Sequence, residues 1–131
     1  MELSRGLVIG SDWIDLILSG EKTWEMRSQN TKIRGWIGLI RKGSGTVVGV
    51  AKLHEVGPAQ SLQEMHITQQ KHQIPTEMLT NGQFAKYRVP WKLSQVSLLQ
   101  RPVQYIHTNG AVIWVKLDEG AISEIHHQVG S

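Results

Sequence analysis

Apolar residues first gather in Leu7-Val8-Ile9, which reads as a strand, and then recur at helical spacing as Ile14, Ile17 and Leu18 between Ser11 and Ser19. That spacing predicts a short helix with one buried face. Ser11 stands where it caps the first amides, Asp12 and Asp15 favour the positive end, and Gly20 supplies the left-handed conformation that ends the helix. Thr23 to Arg27 then runs extended. Arg34 to Arg41 and Thr46 to Val56, rich in β-branched and aliphatic residues, predict two strands joined by a hairpin turn at Lys42-Gly43-Ser44-Gly45. Gly57-Pro58 ends the second strand, and Ser61-Leu62-Gln63-Glu64 is a capping box opening a helix to about Lys71. Gln69 to Pro75 is polar and reads as loop, followed by a short helix near Thr76 to Leu79. Phe84 to Leu93 and Ala111 to Leu117 return to strand. From Gly120 only Ile122 and Ile125 look core-like, so residues 119–131 are expected to form a tail on a single domain with its core at about residues 3–118.

The densest chemistry lies in Gly20-Glu21-Lys22-Thr23-Trp24-Glu25-Met26-Arg27. In a strand, Glu25 and Arg27 share one face, while Trp24 and Met26 point the other way, toward the core. Lys22, in the turn before the strand, has the reach to bring its ammonium to Glu25. A lysine beside a carboxylate and a guanidinium has a tuned proton affinity, which anion binding or acid–base chemistry would use. The same three charges also describe a solvated salt-bridge row of no functional consequence.

The wider pattern decides in favour of a site. Ile14-x-x-Ile17-Leu18-Ser19-Gly20-Glu21-Lys22-x-x-Glu25-x-Arg27 resembles the signature of ASCH domains, the activating signal cointegrator homology family, with its Gly-x-Lys-x-x-Glu-x-Arg spacing. Gly35-Trp36-Ile37-Gly38-Leu39-Ile40 and Val47-Val48-Gly49-Val50-Ala51 are similar to the next two strands of that family. Pro102-Val103-x-Tyr105-x-His107-x-x-Gly110-Ala111-Val112-Ile113-Trp114-Val115 resembles its closing segment. The likeness runs from about Leu3 to Leu117 and is weakest between Gly57 and Lys86. It implies an α+β fold, a small PUA-like mixed β-barrel flanked by short helices, with a cleft lined by the signature residues.

Net charge is only +3, but its distribution is uneven. Between Glu25 and Glu55 stand Arg27, Lys32, Arg34, Arg41, Lys42 and Lys52 with no acidic residue; between Glu77 and Asp118 stand Lys86, Arg88, Lys92, Arg101 and Lys116, again with none. If these segments are neighbouring strands, as the resemblance implies, they merge into a surface that attracts phosphates. Trp36, Trp91, Tyr87 and Tyr105 are interleaved with the cations, which suits stacking on unpaired bases more than duplex DNA. Trp24 and Trp114 read as core; Trp91 is open between core and stacking. Tyr87, Val89, Trp91 and Leu93 share a face that is either core or a dimer contact.

A hydrophobic content of 40% suffices for one core. Cysteine is absent, which excludes disulfides, thiolate metal sites and a cysteine nucleophile. No run approaches membrane-spanning length, and Met1-Glu2-Leu3-Ser4-Arg5 lacks the apolar stretch of a signal peptide, so a cytoplasmic location is expected. No pair among the six histidines has the spacing of a helical zinc site, and neither a metal nor a cofactor is expected. His107 differs, because the resembling segment Tyr105-x-His107 implies a reach into the cleft, as hydrogen-bond donor or proton carrier. Ser11, at a helix start after a strand, is also anion-receptive. The Gly43-Ser44-Gly45 turn offers amides to an anion, or is simply a turn.

The expected ligand-binding set is Ser11, Lys22, Glu25, Arg27, Arg41, Lys42, Trp91, Lys92, Tyr105 and His107, and the expected partner is RNA, most naturally single-stranded, or a modified nucleotide. No membrane contact is expected, and protein partners stay open. The alternative is a small hydrolase, since some relatives in the resembling family remove the acyl group from N4-acetylcytidine and others cleave RNA. The first of these use a Lys, a Thr three residues later and a more distant Glu. Here Lys22 matches the Lys, Glu25 stands at the Thr position, and Glu64 is the nearest candidate for the distant Glu. In that reading Lys22 and Glu25 are catalytic, with His107 as a further candidate.

Overall fold

The structure, a computed structural model, describes residues 1–130. Five short helices surround one six-stranded sheet, an α+β arrangement. The strands are β1 (Arg5–Ile9), β2 (Trp24–Arg27), β3 (Gly35–Arg41), β4 (Thr46–Val56), β5 (Val89–Gln104) and β6 (Trp114–Lys116). They lie in the order β2-β5-β4-β3-β1-β6, with β1 parallel to β3 and every other pairing antiparallel. The helices are α1 (Ser11–Leu18), α2 (Leu62–Ile67), α3 (Gln69–His72), α4 (Thr76–Thr80) and α5 (Glu119–Val129).

β3 and β4 bury consecutive residues because both faces of the sheet's centre are covered. On one face Ile14 and Ile17 of α1 pack with Leu7, Ile37, Leu39 and Leu53. Gly49 makes this close approach possible: a Cβ there would stand 2.6 Å from Leu18 Cδ2 and 2.8 Å from the Ser97 carbonyl oxygen. On the other face Ile40, Val47, Leu99 and Val115 meet Ala121 and Ile125 of α5. A third, smaller cluster of Met26, Met65, Ile74 and Leu79 seats α2, α3 and α4 against the β2 edge.

β5 is the long strand that curls the sheet. Its pairing with β4 shifts register at three places, and Gln95 has φ 51; such irregularities bend a strand and raise its twist. The curl brings β2 round to face β1, leaving a half-barrel whose gap is crossed at two points. Arg27 Nη2 donates 2.8 Å to the Val8 carbonyl oxygen, and the rings of Trp91 and Trp114 stack at 5.7 Å and 12°.

Several local expectations are corrected. Gly10, not Ser11, is the N-cap of α1, and no side chain caps it; the extended conformation falls one residue earlier, so Ser11 is the first helical residue. The capping box of Ser61 and Glu64 is present, with bonds of 3.1 and 2.9 Å. Its helix nevertheless breaks at Thr68, and the polar stretch expected as loop continues as α3 until Gln73 turns left-handed at φ 63. Strand begins only at Val89 rather than Phe84, and then runs unbroken to Gln104. The late strand is confined to Trp114–Lys116. Residues 119–129, read as a tail, form α5, which Asp118 caps through the Ala121 amide. Its buried Ala121 and Ile125 are four apart, a helical period masked in the sequence by the flanking Gly120 and His126-His127.

Candidate nucleic-acid interface

Gly20, with φ 87, ends α1 and turns the chain so that Lys22 and Thr23 lie between α3 and β5. The Thr23 amide donates to the Lys71 carbonyl, and the Leu93 amide donates to the Thr23 carbonyl, at 2.9 and 2.8 Å. Held there, Lys22 is only 2% exposed. Its ammonium donates to the carbonyl oxygens of Trp24 and His72, each at 2.7 Å, stands 3.5 Å from Glu25 Oε1, and lies 5.2 Å from the Trp13 ring. Burial pushes the Lys22 pKa below its usual value, and the Glu25 carboxylate opposes that shift.

Glu25 and Arg27 share a strand face as alternation requires. Glu25 Oε2 accepts from Arg27 Nε at 3.0 Å and from Nη2 at 2.8 Å, and the guanidinium stands 5.5 Å over the Trp91 ring. The carboxylate is thus shared between an ammonium behind it and a guanidinium beside it. Glu25 and Arg27, but not Lys22, line a hollow of about 310 Å³ at the gap in the half-barrel. Trp13, Phe84 and Tyr87 form its aromatic wall, edge to face at 5.5 and 5.8 Å. Lys42 and Val112 close its far side.

This hollow is one part of a longer groove. Arg27 and Tyr87 are also walls of a recess of about 530 Å³ containing Trp91, Trp114, Gln29 and Asn30. Val8, Lys42 and Val112 are shared with a third recess of about 440 Å³, which holds Tyr105, His107, Gly43 and Gly45. In that third recess His107 Nε2 is 2.9 Å from the Ala111 carbonyl, so Nε2 carries the proton, and Nδ1 accepts from the Tyr105 hydroxyl at 2.9 Å. Burial raises the Tyr105 pKa.

Of the residues singled out in the sequence, the groove therefore gathers Glu25, Arg27, Lys42, Trp91, Tyr105 and His107, with Lys22 directly behind Glu25. Trp91 is 3% exposed, yet it forms part of the second recess while its Nε1 donates to the Gln29 carbonyl. Ser11 is exposed and outside the groove. Arg41 is drawn to Asp15 at 2.6 Å. Lys92 pairs with Glu55 at 2.6 Å and covers the Trp24 ring at 4.8 Å, on the opposite face of β5 from Trp91. Glu64 is exposed and held by its own capping box. Trp13, Phe84 and the His72 carbonyl were not foreseen. Trp13 carried a signal, since it precedes Ile17 by four residues and so borders the buried stripe, where the structure packs it partly against the core and partly into the hollow.

The sequence that folds into most of this half-barrel is matched by a family model, that of the ASCH domain, over residues 7–102. The chain belongs to the ASCH domain family. A comparison with curated protein sequences finds no match. Among solved structures the chain is similar to the crystal structure of ASCH from Zymomonas mobilis, with a TM-score of 0.72 and 12% identity over 94% of this chain and 93% of that one. Two mutants of that protein give TM-scores of 0.70 and 0.71 at 12% identity, covering 94% and 97% of this chain and 94% and 98% of theirs. At that identity the likeness concerns the PUA-like fold. No helix among the described residues of this ASCH domain is long and apolar enough to cross a membrane.

Proposed function

We propose that this ASCH domain binds single-stranded RNA, or a modified nucleotide within it, along the groove at the gap of the half-barrel. The observation that carries the reading is the aromatic hollow in which Glu25 and Arg27 present an acceptor and a donor edge, opening on both sides into further recesses. An unpaired base offers a π-face to Trp13, Phe84 or Tyr87 and a polar edge to the charged pair. Lys42 stands where the groove continues, ready for a phosphate. Because the groove is open and continuous, a strand passes along it rather than ending in it.

Anisotropy of labelled single-stranded RNA, titrated at several salt concentrations, tests this. The reading expects affinity that falls with salt, and a loss of about 1–3 kcal/mol for Tyr87→Ala through lost stacking. Binding that ignores salt, or that is unchanged in Tyr87→Ala and Lys42→Ala, would count against it.

A second reading, hydrolysis of a nucleic-acid component, is favoured by one observation. Glu25 faces the hollow with the Lys22 ammonium 3.5 Å behind it, a pair of the kind that holds and moves a proton. Incubation with N4-acetylcytidine and with labelled RNA, with and without Mn²⁺, separates the two: deacetylated base or shortened RNA selects the enzyme, and retention without turnover selects the binding module.

A further inference from the structure

We infer that the unit recognised by this groove is a dinucleotide step, with one base in each of two adjoining hollows and the phosphodiester between them held by Arg27. The inference rests on the RNA-binding reading above and specifies its ligand.

The two hollows, of about 310 and 530 Å³, are each of the size that small ligands occupy, roughly 300–1,000 Å³. Arg27 and Tyr87 are common to both and form the partition between them. Each side has its own aromatic surface: Trp13 with Phe84 on one, and on the other the partly exposed Trp114, backed by the buried Trp91 on which its ring is stacked. Two consecutive bases of a single strand, splayed about a partition, match this layout and place their linking phosphate at the partition itself.

Arg27 is prepared for that phosphate. Its Nε and Nη2 edge is fixed by Glu25 and by the Val8 carbonyl, whereas Nη1 makes no hydrogen bond to any described residue. A guanidinium locked through Nε and both hydrogens of Nη2 leaves the two N–H groups of Nη1 as oriented donors, which suits a phosphate oxygen. Charge selects the phosphate's type. The buried cluster contains two cations, Lys22 and Arg27, and one carboxylate, Glu25, leaving a single positive charge without a counterion. A phosphodiester supplies one negative charge and closes that balance, whereas a terminal phosphate carries about 1.5 to 2 at neutral pH. The cluster therefore prefers an internal linkage to a strand end.

Calorimetric titration with cytidine, cytidine 5′-monophosphate, the dinucleotide CpC, its uncharged methylphosphonate analogue and a 12-residue oligocytidine tests the inference. CpC is expected to bind at least about tenfold more tightly than the monophosphate, and the methylphosphonate to lose most of that gain. Ile113 is 45% exposed and belongs to the second hollow only. Ile113→Gln, which adds no charge beside Arg27 and whose fold is checked by thermal unfolding, is expected to weaken CpC more than it weakens the monophosphate. Equal binding of CpC and monophosphate, or of CpC and its methylphosphonate, overturns the dinucleotide unit. If the 12-residue strand still binds in that case, the RNA-binding reading survives without it. Failure of every ligand in the series overturns both.

Discussion

The ammonium of Lys22 donates to the carbonyl oxygen of His72 at 2.7 Å, across 50 residues of sequence. Through this bond the signature strand and the helical segment α2 to α4 hold one another. The lysine at the centre of the motif is therefore a buried tie between elements, and the groove-facing work falls to Glu25 and Arg27. Removing it is a structural act as well as a chemical one, contrary to what its spacing beside two charged residues implies.

Lys22→Met keeps the length of the side chain but strands two carbonyl oxygens and leaves Glu25 with one cation. Loss of one partner in a buried ionic network costs on the order of 3 kcal/mol. A clear drop in the urea midpoint, larger than that of Lys42→Met in the groove wall, is the expected outcome; an unchanged midpoint would contradict the role of the tie.

His72 is fully buried, its Nε2 donating to the Met65 carbonyl at 2.7 Å and its Nδ1 accepting from the Ile74 amide at 2.9 Å. Burial chiefly, with the nearby Lys22 charge, holds its pKa below the usual 6.5, and the bond to Met65 opposes this. A proton on Nδ1 would displace the Ile74 amide. The unfolded chain takes up that proton near 6.5 and the folded one only at lower pH. The stabilisation is therefore complete above that value and declines as pH falls from 6.5 toward the depressed folded pKa. Melting temperature should fall from about pH 7 to about pH 5, and less steeply in His72→Gln.

Arg27→Lys preserves charge but not the fork that reaches Glu25 and Val8 together. Binding of single-stranded RNA should weaken by about tenfold, or 1.4 kcal/mol, while the salt dependence changes little, because the charge count is kept. Equal affinity of the two proteins would show that guanidinium geometry is not used.

Ile125 of α5 has no exposed surface. Ile125→Ala should cost about 2–5 kcal/mol, the range for a large-to-small change in a packed core, and chemical denaturation reads it directly. A cost near zero would return α5 to the status of a tail.

Much of the fold was legible because it is written locally. The helix that ends at Gly20, the hairpin at Lys42-Gly43-Ser44-Gly45 and the capping box at Ser61 depend on residues within a few positions of one another, and each is present. Legibility failed where short-range pattern and packing part company. α5 has only a weak apolar stripe and is held by the sheet face it covers. The strand after Leu93 carries polar residues because one stretch of it is exposed, yet β4 pairs with it along its length.

For the site, the division follows the same physics. Strand alternation in the sequence alone placed Glu25 and Arg27 on a common face, and the two-residue spacing made their contact geometrically natural. Which other groups share that face was decided by chain segments far away: the Val8 carbonyl that anchors the guanidinium, the His72 carbonyl that takes the ammonium, and the Trp13, Phe84 and Tyr87 wall. The tertiary structure likewise assigned Arg41 to Asp15 and Lys92 to Glu55, away from the groove. Spacing determines the direction of a side chain, because backbone periodicity is local. Its partner is set by the curl of the sheet and the docking of helices, which sum many weak contacts over the whole chain.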